Sequence, residues 1–348
     1  MNFNKTIQIA DKVLEQNGKT FIIAEAGVNH GGDMNLAKKL VDLAVEAGVD
    51  AVKFQAFRTS DLIIDNVEKA PYQTKTTSNT ESQTDMLKKL ELKKEQYIEL
   101  KEYCESKNII FLITPFDETS LLELEEIGVV AYKVASTDTT NLPFLKKIAQ
   151  TQKPVFLSTG MTYLNEIQAA LEEIHVYNKN IVLMQCTANY PISDDEANLN
   201  VIKTFQNNFD ILVGYSDHSI GIGAAPYAIP MGVCMIEKHF TINKEDEGPD
   251  HLASLDPEEL KQLVVEVRRI EHYLGSFDKV PTASEMNTRK SLQKNLVAKT
   301  RILEGEILSE SNVIAKRTGG EGISPIDYKQ VFGQKANKSF NTNEIITL

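Results

Sequence analysis

Cysteine is scarce. The 348-residue chain has three, Cys104, Cys186 and Cys234, widely spaced and each inside an apolar segment. They read as reduced core residues of a cytosolic protein, which excludes a disulfide framework and argues against a cysteine-based metal site. Long hydrophobic runs are missing too, and none approaches the ~18 apolar residues that span a bilayer. The first residues, Met1 to Thr6, put no apolar stretch behind their lysine, so no export is expected and the cytoplasm is the expected location. Basic charge is in deficit. Lysine and arginine number 37 against 49 acidic residues, a net charge of -12, which opposes a long electrostatic footprint on nucleic acid. Neither nucleic acid nor a membrane is an expected partner. An anionic ligand would need a local pocket, so a lysine at the end of a buried strand carries more information than one on the surface. No internal repeat and no low-complexity tract occurs.

What is present is an ordinary globular composition, 42% hydrophobic and 25% charged. At roughly 150 residues per domain the length suggests about two domains, large enough to bury about three quarters of their surface. Between residues 20 and 273, short apolar runs alternate with longer amphipathic ones. Strands are expected at 20–27, 51–55, 109–115, 131–136, 154–160, 181–186, 211–217 and 235–240. Helices are expected near 34–47, 94–107, 117–127, 142–150, 163–175, 198–207, 221–230 and 256–273. Eight apolar strands that cross over through helices make the number that closes a (β/α)8 TIM barrel. An open doubly wound sheet is the competing architecture. The turn Gly27-Val28-Asn29-His30-Gly31-Gly32 lacks the Gly-x-Gly-x-x-Gly spacing that would support it.

Two stretches break the rhythm. Residues 56–93 form a polar insertion whose Thr/Ser/Asn/Gln-rich part, 74–84, suits a mobile loop over the barrel mouth. After about residue 277 the helical pattern stops and short β-like pieces follow at 296–298, 313–315 and 344–346, with turns at 303–306 and 318–322. The expected division is therefore a catalytic barrel over 1–278 and a small second domain over 279–348, marginal in size unless it packs on something.

In a closed parallel barrel, chemistry collects where strands end at the C-terminal face. Glu25 ends the first strand. Lys53 and Gln55 end the second and share one side of it, the interior if Val52 and Phe54 face the helices. Thr114, Lys133, Ser136, Ser158 and Thr159 follow on the next three strands. Two interior lysines ringed by hydroxyls match a cradle for phosphate or carboxylate. The bland alternative pairs them with interior carboxylates such as Glu25. The seventh and eighth strands each deliver a histidine, His218 and His239, to the same rim. Two imidazoles with open positions suit a divalent ion of the manganese, iron or zinc kind; two hydrogen-bonded core histidines are the alternative. Glu237, deeper on the same side as His239, is expected to ligate the ion or orient that histidine. His30 is a loop contact or a turn residue. His175 and His272 fall in helices and are expected at the surface or in packing.

Together these segments resemble the nonulosonic acid synthases, the sialic acid (N-acetylneuraminate) synthase group that includes legionaminic and pseudaminic acid synthases. The resemblance rests on Ile23-Ala24-Glu25-Ala26-Gly27-Val28-Asn29-His30-Gly31-Gly32, Ala51-Val52-Lys53-Phe54-Gln55, Phe111-Leu112-Ile113-Thr114-Pro115-Phe116, Tyr132-Lys133-Val134-Ala135-Ser136, Leu157-Ser158-Thr159-Gly160-Met161, Gly214-Tyr215-Ser216-Asp217-His218, Glu237-Lys238-His239-Phe240 and Gly248-Pro249-Asp250-His251. It implies condensation of phosphoenolpyruvate with the open-chain aldehyde of an N-acylmannosamine, with release of phosphate. N-acetylmannosamine is the first expected sugar and 2,4-diacetamido-2,4,6-trideoxymannose the second. By the same resemblance, Lys53, Lys133, Ser136, Ser158 and Ser216 hold phosphoenolpyruvate, and His218 and His239 bind the metal, typically Mn2+. Gln55, Asp138, Tyr190 and Asp250 hold the sugar, and Glu25 is the candidate acid–base group. The C-terminal segment is similar to the family's antifreeze-like (β-clip, SAF) domain. In a domain-swapped homodimer its Arg317 would reach the sugar on a partner subunit. Three positions depart from the family: Thr318 replaces a frequent proline, Ala188 stands where some members carry asparagine, and Asp138 is glutamate in some members.

Two rivals remain at this point. One is an aldolase on the same barrel that uses Lys133 or Lys53 as a Schiff base. The other is a non-catalytic carbohydrate-binding protein, against which stands the cost of burying Lys, His and Glu without a ligand.

Overall fold

Alternating side chains on eight short parallel strands sort into an inner and an outer layer. The computed structural model describes residues 1–64, 67–77 and 81–348. Its barrel strands are Phe21–Gly27, Ala51–Ala56, Ile110–Pro115, Tyr132–Val134, Val155–Ser158, Ile181–Cys186, Leu212–Asp217 and Met235–His239. In order of hydrogen bonding the sheet runs third, second, first, eighth, seventh, sixth, fifth, fourth. The third and fourth strands also lie side by side, so the eight form a nearly closed (β/α)8 barrel. Val52, Phe54, Val134, Leu157, Leu183, Tyr215 and Ile236 pack outward into the core beneath the helices. Ile23, Ala51, Leu112, Phe156, Val182, Met184 and Met235 fill the interior toward the N-terminal end. The two-residue period that predicts Lys53 and Gln55 inside therefore holds.

Helices Met34–Ala47, Lys94–Ser106, Glu118–Ile127, Leu142–Gln150, Leu164–His175, Val201–Phe209 and Pro257–Leu274 cover the outside. The first starts at Asp33, whose side chain accepts from the amides of Asn35 and Leu36, and ends at Gly48 in the left-handed region (φ 77°). The helix expected over 221–230 is corrected to a single turn, Ala225–Ala228, followed by the 3-10 turn Ile229–Met231. Pro226 and Pro230 interrupt it, and Gly221 and Gly223 hold positive φ ahead of it.

A hairpin, Thr6–Ile9 with Lys12–Glu15, precedes the barrel and has no counterpart in the sequence reading. Its Ile7, Ile9 and Leu14 join the interior cluster with Phe21, Leu112 and Phe156, so it plugs the N-terminal end. The polar insertion carries helices at Thr59–Leu62, Gln73–Thr76 and Gln83–Leu90. Part of the loop expected there, residues 65, 66 and 78–80, lies outside the described residues. Among the described residues no helix is long and apolar enough to cross a membrane.

The chain divides into Met1–Gly275 and Ser276–Leu348. The second unit opens with a helix, Ala283–Leu292, contrary to the expected end of helical pattern near residue 277. Thr282 and Glu285 cap it reciprocally, and none of its residues is buried, so it has no apolar stripe to betray it. Lys294–Ala298 then pairs antiparallel with Val313–Arg317 over a core that includes Leu296, Ile302, Leu308, Phe340 and Ile346.

Candidate active site

The interior at the C-terminal end of the barrel is charged. Glu25 and Lys53 are register partners on the first two strands, and Lys53 Nζ lies 2.9 Å from Glu25 Oε2. The same ammonium donates to Thr114 Oγ1 at 3.1 Å and lies 3.4 Å from Glu237 Oε2. Lys133 Nζ donates to Ser158 Oγ at 2.7 Å and lies 3.3 Å from Glu237 Oε1, which also accepts from Ser216 Oγ at 2.9 Å. Glu237 is thus the hub of the lysines, not a hydrogen-bond partner of His239 as expected, because its carboxylate sits level with Ser216 on the neighbouring strand.

These groups are almost fully enclosed, and the balance between burial and the charges of their neighbours decides their ionisation. Burial pushes the Glu25 carboxyl up to about 7, with Lys53 pulling the other way. Burial also opposes ionisation of Glu237, but Lys133 and Lys53 outweigh it and hold that carboxyl well below the usual range. Lys53, between two carboxylates, is raised despite its burial. Lys133 is lowered, because burial exceeds what Glu237 returns.

Beside this cluster stand the two histidines. The His218 and His239 rings have centroids 5.4 Å apart, and Tyr190 packs on both, at 4.1 and 5.4 Å. Thr187 O lies 2.7 Å from His218 Nδ1 and takes that hydrogen, which leaves Nε2, 3.5 Å from Ser216 Oγ, as the unprotonated nitrogen able to ligate. His239 Nδ1 is buried without a hydrogen-bond partner, 3.8 Å from Asp250 Oδ2. Burial pushes the Asp250 carboxyl up to about 6, against His218 and Lys53. Among the described residues no group of three or more His, Cys, Asp or Glu gathers around a cation position. The donor set still fits a divalent ion: two imidazoles this close can each reach one ion at ~2.1 Å, and one of them lacks any other partner for its buried nitrogen.

Glu25, Lys53, Gln55, Lys133, Ser136, Ser158, Tyr190, Ser216, His218 and His239 all line one cavity. Gln55 Nε2 donates to Glu25 Oε1 at 3.2 Å. Ser136 Oγ accepts from the Gly160 amide at 2.9 Å, and a Cβ on Gly160 would come within 2.8 Å of that oxygen, so only glycine allows the approach. Asp138 is not brought into this wall; its carboxylate accepts from Asn141 at 3.1 Å and Thr137 at 3.2 Å. Arg317 ends the second unit's strand Val313–Arg317 and is exposed. His30 is buried outside the cavity as a turn residue, its Nδ1 accepting from the Gly32 amide at 2.9 Å. His175 packs edge-on against Phe3, and His272 is exposed on the last barrel helix.

Two site residues escaped sequence reasoning. Cys186, expected as a plain core residue, lines the cavity with its Sγ 3.8 Å from His218 Nδ1 and 3.7 Å from Ser136 Oγ. Its signal was available: it shares the parity of interior Met184 on a strand whose end faces the rim. Tyr72, from the polar insertion, packs against Tyr190 with the rings tilted by 43° and their centroids 5.0 Å apart, and nothing in its local sequence marks it.

Residues 40–279 match the NeuB family and residues 295–348 the SAF domain. The chain is 46% identical to the N,N'-diacetyllegionaminic acid synthase of Campylobacter jejuni, over 94% of this chain and 99% of that protein. It is 41% identical to the synthase of the same name from Legionella pneumophila, over 92% and 91%. A crystal structure of N-acetylneuraminic acid synthetase from Leptospira borgpetersenii in complex with citrate superposes with a TM-score of 0.73 at 36% identity, covering 84% of this chain and 98% of that one. A barrel with this interior, followed by a SAF domain, places the chain in the NeuB family.

Proposed function

We propose that this chain is a nonulosonic acid synthase that joins phosphoenolpyruvate to the open-chain aldehyde of 2,4-diacetamido-2,4,6-trideoxymannose and releases phosphate. The observation that carries the reading is a single cavity in which Lys53 and Lys133 meet His218 and His239. The sugar is chosen on the names of the Campylobacter and Legionella relatives, which reverse the order expected from sequence. N-acetylmannosamine is the second reading, favoured by the name of the Leptospira structure.

The residue types fit that chemistry. Lys53 and Lys133 supply the charged donors that a phosphorylated anion needs, and the Glu25 carboxyl, raised to about 7, is available near neutrality in the ionised form that the later proton transfer requires. Ser136, Ser158 and Ser216 add hydroxyl donors around the anion, and Gln55, Tyr190, Asp250 and Arg317 hold the sugar. A divalent ion on His218 and His239, Mn2+ in our reading, would supply Lewis-acid polarisation of the aldehyde. Attack by C3 of phosphoenolpyruvate leaves a cationic centre at C2. Water adds there, Glu25 takes its proton, and the hemiketal phosphate collapses with loss of phosphate. We assign residues 1–278 to catalysis and 279–348 to an SAF unit that completes a partner's site in a cytoplasmic homodimer. Light scattering tests the dimer.

Phosphate release should be measured with phosphoenolpyruvate, Mn2+ and each sugar in turn. Faster turnover on the diacetamido sugar is expected, and the reverse order installs the second reading. Absence of phosphate release with either sugar overturns both. Borohydride trapping of a pyruvate adduct on lysine replaces them with the Schiff-base aldolase.

A further inference from the structure

The seventh and eighth barrel strands pair in register, and their side chains alternate between the two faces. Ser216 and Glu237 oppose one another inside, and Tyr215 and Ile236 oppose one another in the apolar outer layer. One position on, also in the outer layer, Asp217 opposes Lys238, with Nζ 3.0 Å from Oδ2 and both side chains almost completely buried. The next residues along are His218 and His239. An ion pair buried beneath helices is weak support for stability, since well-packed apolar residues do as well, and the layer below uses them. Its bonds indicate a different task.

Asp217 gathers the loop that carries His218. Its Oδ1 accepts from the Ser219 amide at 2.9 Å and from Ser219 Oγ at 2.6 Å. Its Oδ2 accepts from the amides of Ala224 at 3.1 Å and Ala225 at 2.9 Å. Lys238 Nζ crosses from the other strand and donates to Ser219 O at 2.7 Å, one residue beyond His218. The loop returns through Gly223, φ +50°, where a Cβ would fall 1.8 Å from Ser219 Oγ, so the clamp leaves no room for a side chain. The ends of both histidine-bearing strands are therefore tied by one charged pair on the face away from the cavity.

We propose that Asp217 and Lys238 are positioning residues that hold His218 and His239 at the spacing a divalent cation needs. The inference rests on the metal reading of those histidines given above. Neither residue touches substrate; each acts on the imidazoles through the backbone between them.

The test uses the full-length protein, with Mn2+ affinity read by electron paramagnetic resonance and phosphoenolpyruvate affinity read calorimetrically without metal. Asp217→Asn and Lys238→Met should weaken Mn2+ binding by ~10- to 100-fold while phosphoenolpyruvate affinity stays within about twofold. General loosening of the barrel would shift both, because Ser216 and Lys133 sit on the same wall, and that outcome overturns the proposal. Unchanged Mn2+ affinity in the variants overturns it as well. If either variant does not fold, Ser219→Ala removes the Oγ bonds to Asp217, the Ala224 amide and Lys238 while leaving both charges in place, and should cost Mn2+ affinity a smaller factor, about threefold; no loss there counts against the clamp. Failure of the wild-type protein to bind Mn2+ overturns the metal reading itself, a separable result.

Discussion

Lys53 and Glu25, register partners on adjacent strands, hold their charged ends 2.9 Å apart in almost complete burial. The pairing is lopsided. Lys53 also faces Glu237, so its charge is secured twice over, whereas no donor is aligned on Glu25 Oε2. Burial therefore prevails at Glu25 and brings its carboxyl to about 7, where it can both give and take a proton.

Glu25→Gln should keep phosphoenolpyruvate binding and lose ~100- to 10,000-fold in kcat. In the wild-type enzyme the form able to accept water's proton grows as pH rises through about 7, so kcat should climb there, and the variant's residual rate should not. Stability runs the opposite way. A carboxyl raised in the fold from 4.5 contributes fully below 4.5, and its contribution is lost as pH rises through about 7. The melting temperature of the wild-type protein should fall across that window relative to Glu25→Gln. Near-normal turnover in the variant removes Glu25 from the chemistry.

Lys53→Met keeps the volume and deletes the charge between Glu25 and Glu237. Two buried carboxyls then face each other without their shared cation, a loss of about 3–5 kcal/mol in urea unfolding. The missing charged donor should weaken phosphoenolpyruvate binding by ~10- to 100-fold in calorimetry. Unchanged affinity would place the anion elsewhere.

Much of this site could be read from the chain because barrel strands obey a simple rule. Once Val52 and Phe54 are assigned to the helix side, Lys53 and Gln55 must face inward, and the same parity carries Lys133, Ser158, Ser216 and His239. Partners were harder, because they depend on register between strands. Glu237 is level with Ser216, and nothing in either segment alone says so. Asp138 fails for a local reason: the strand expected to run to 136 stops at Val134, and the 3-10 turn Ser136–Asp138 turns the carboxylate toward Asn141. Tyr72 and the N-terminal hairpin were invisible because four-residue elements carry too little periodicity to stand out.

That hairpin also permits a control at the far end of the barrel. Leu14 is completely buried and packs with Ile7 and Ile9 against the interior layer that begins at Phe21, whereas the reacting groups lie near the opposite ends of the strands. A six-residue strand spans ~20 Å, so the plug and the cavity are separated by the full depth of packed side chains. Leu14→Ala should therefore cost ~2–5 kcal/mol of stability, through lost burial plus the cavity left behind. At temperatures where the variant remains folded, kcat and phosphoenolpyruvate affinity should match the wild type, since packing beyond Phe156 and Leu112 holds the upper layer in place. A kcat that fell in step with stability would mean that the charged layer takes its geometry from the plug, not from the strands that carry it.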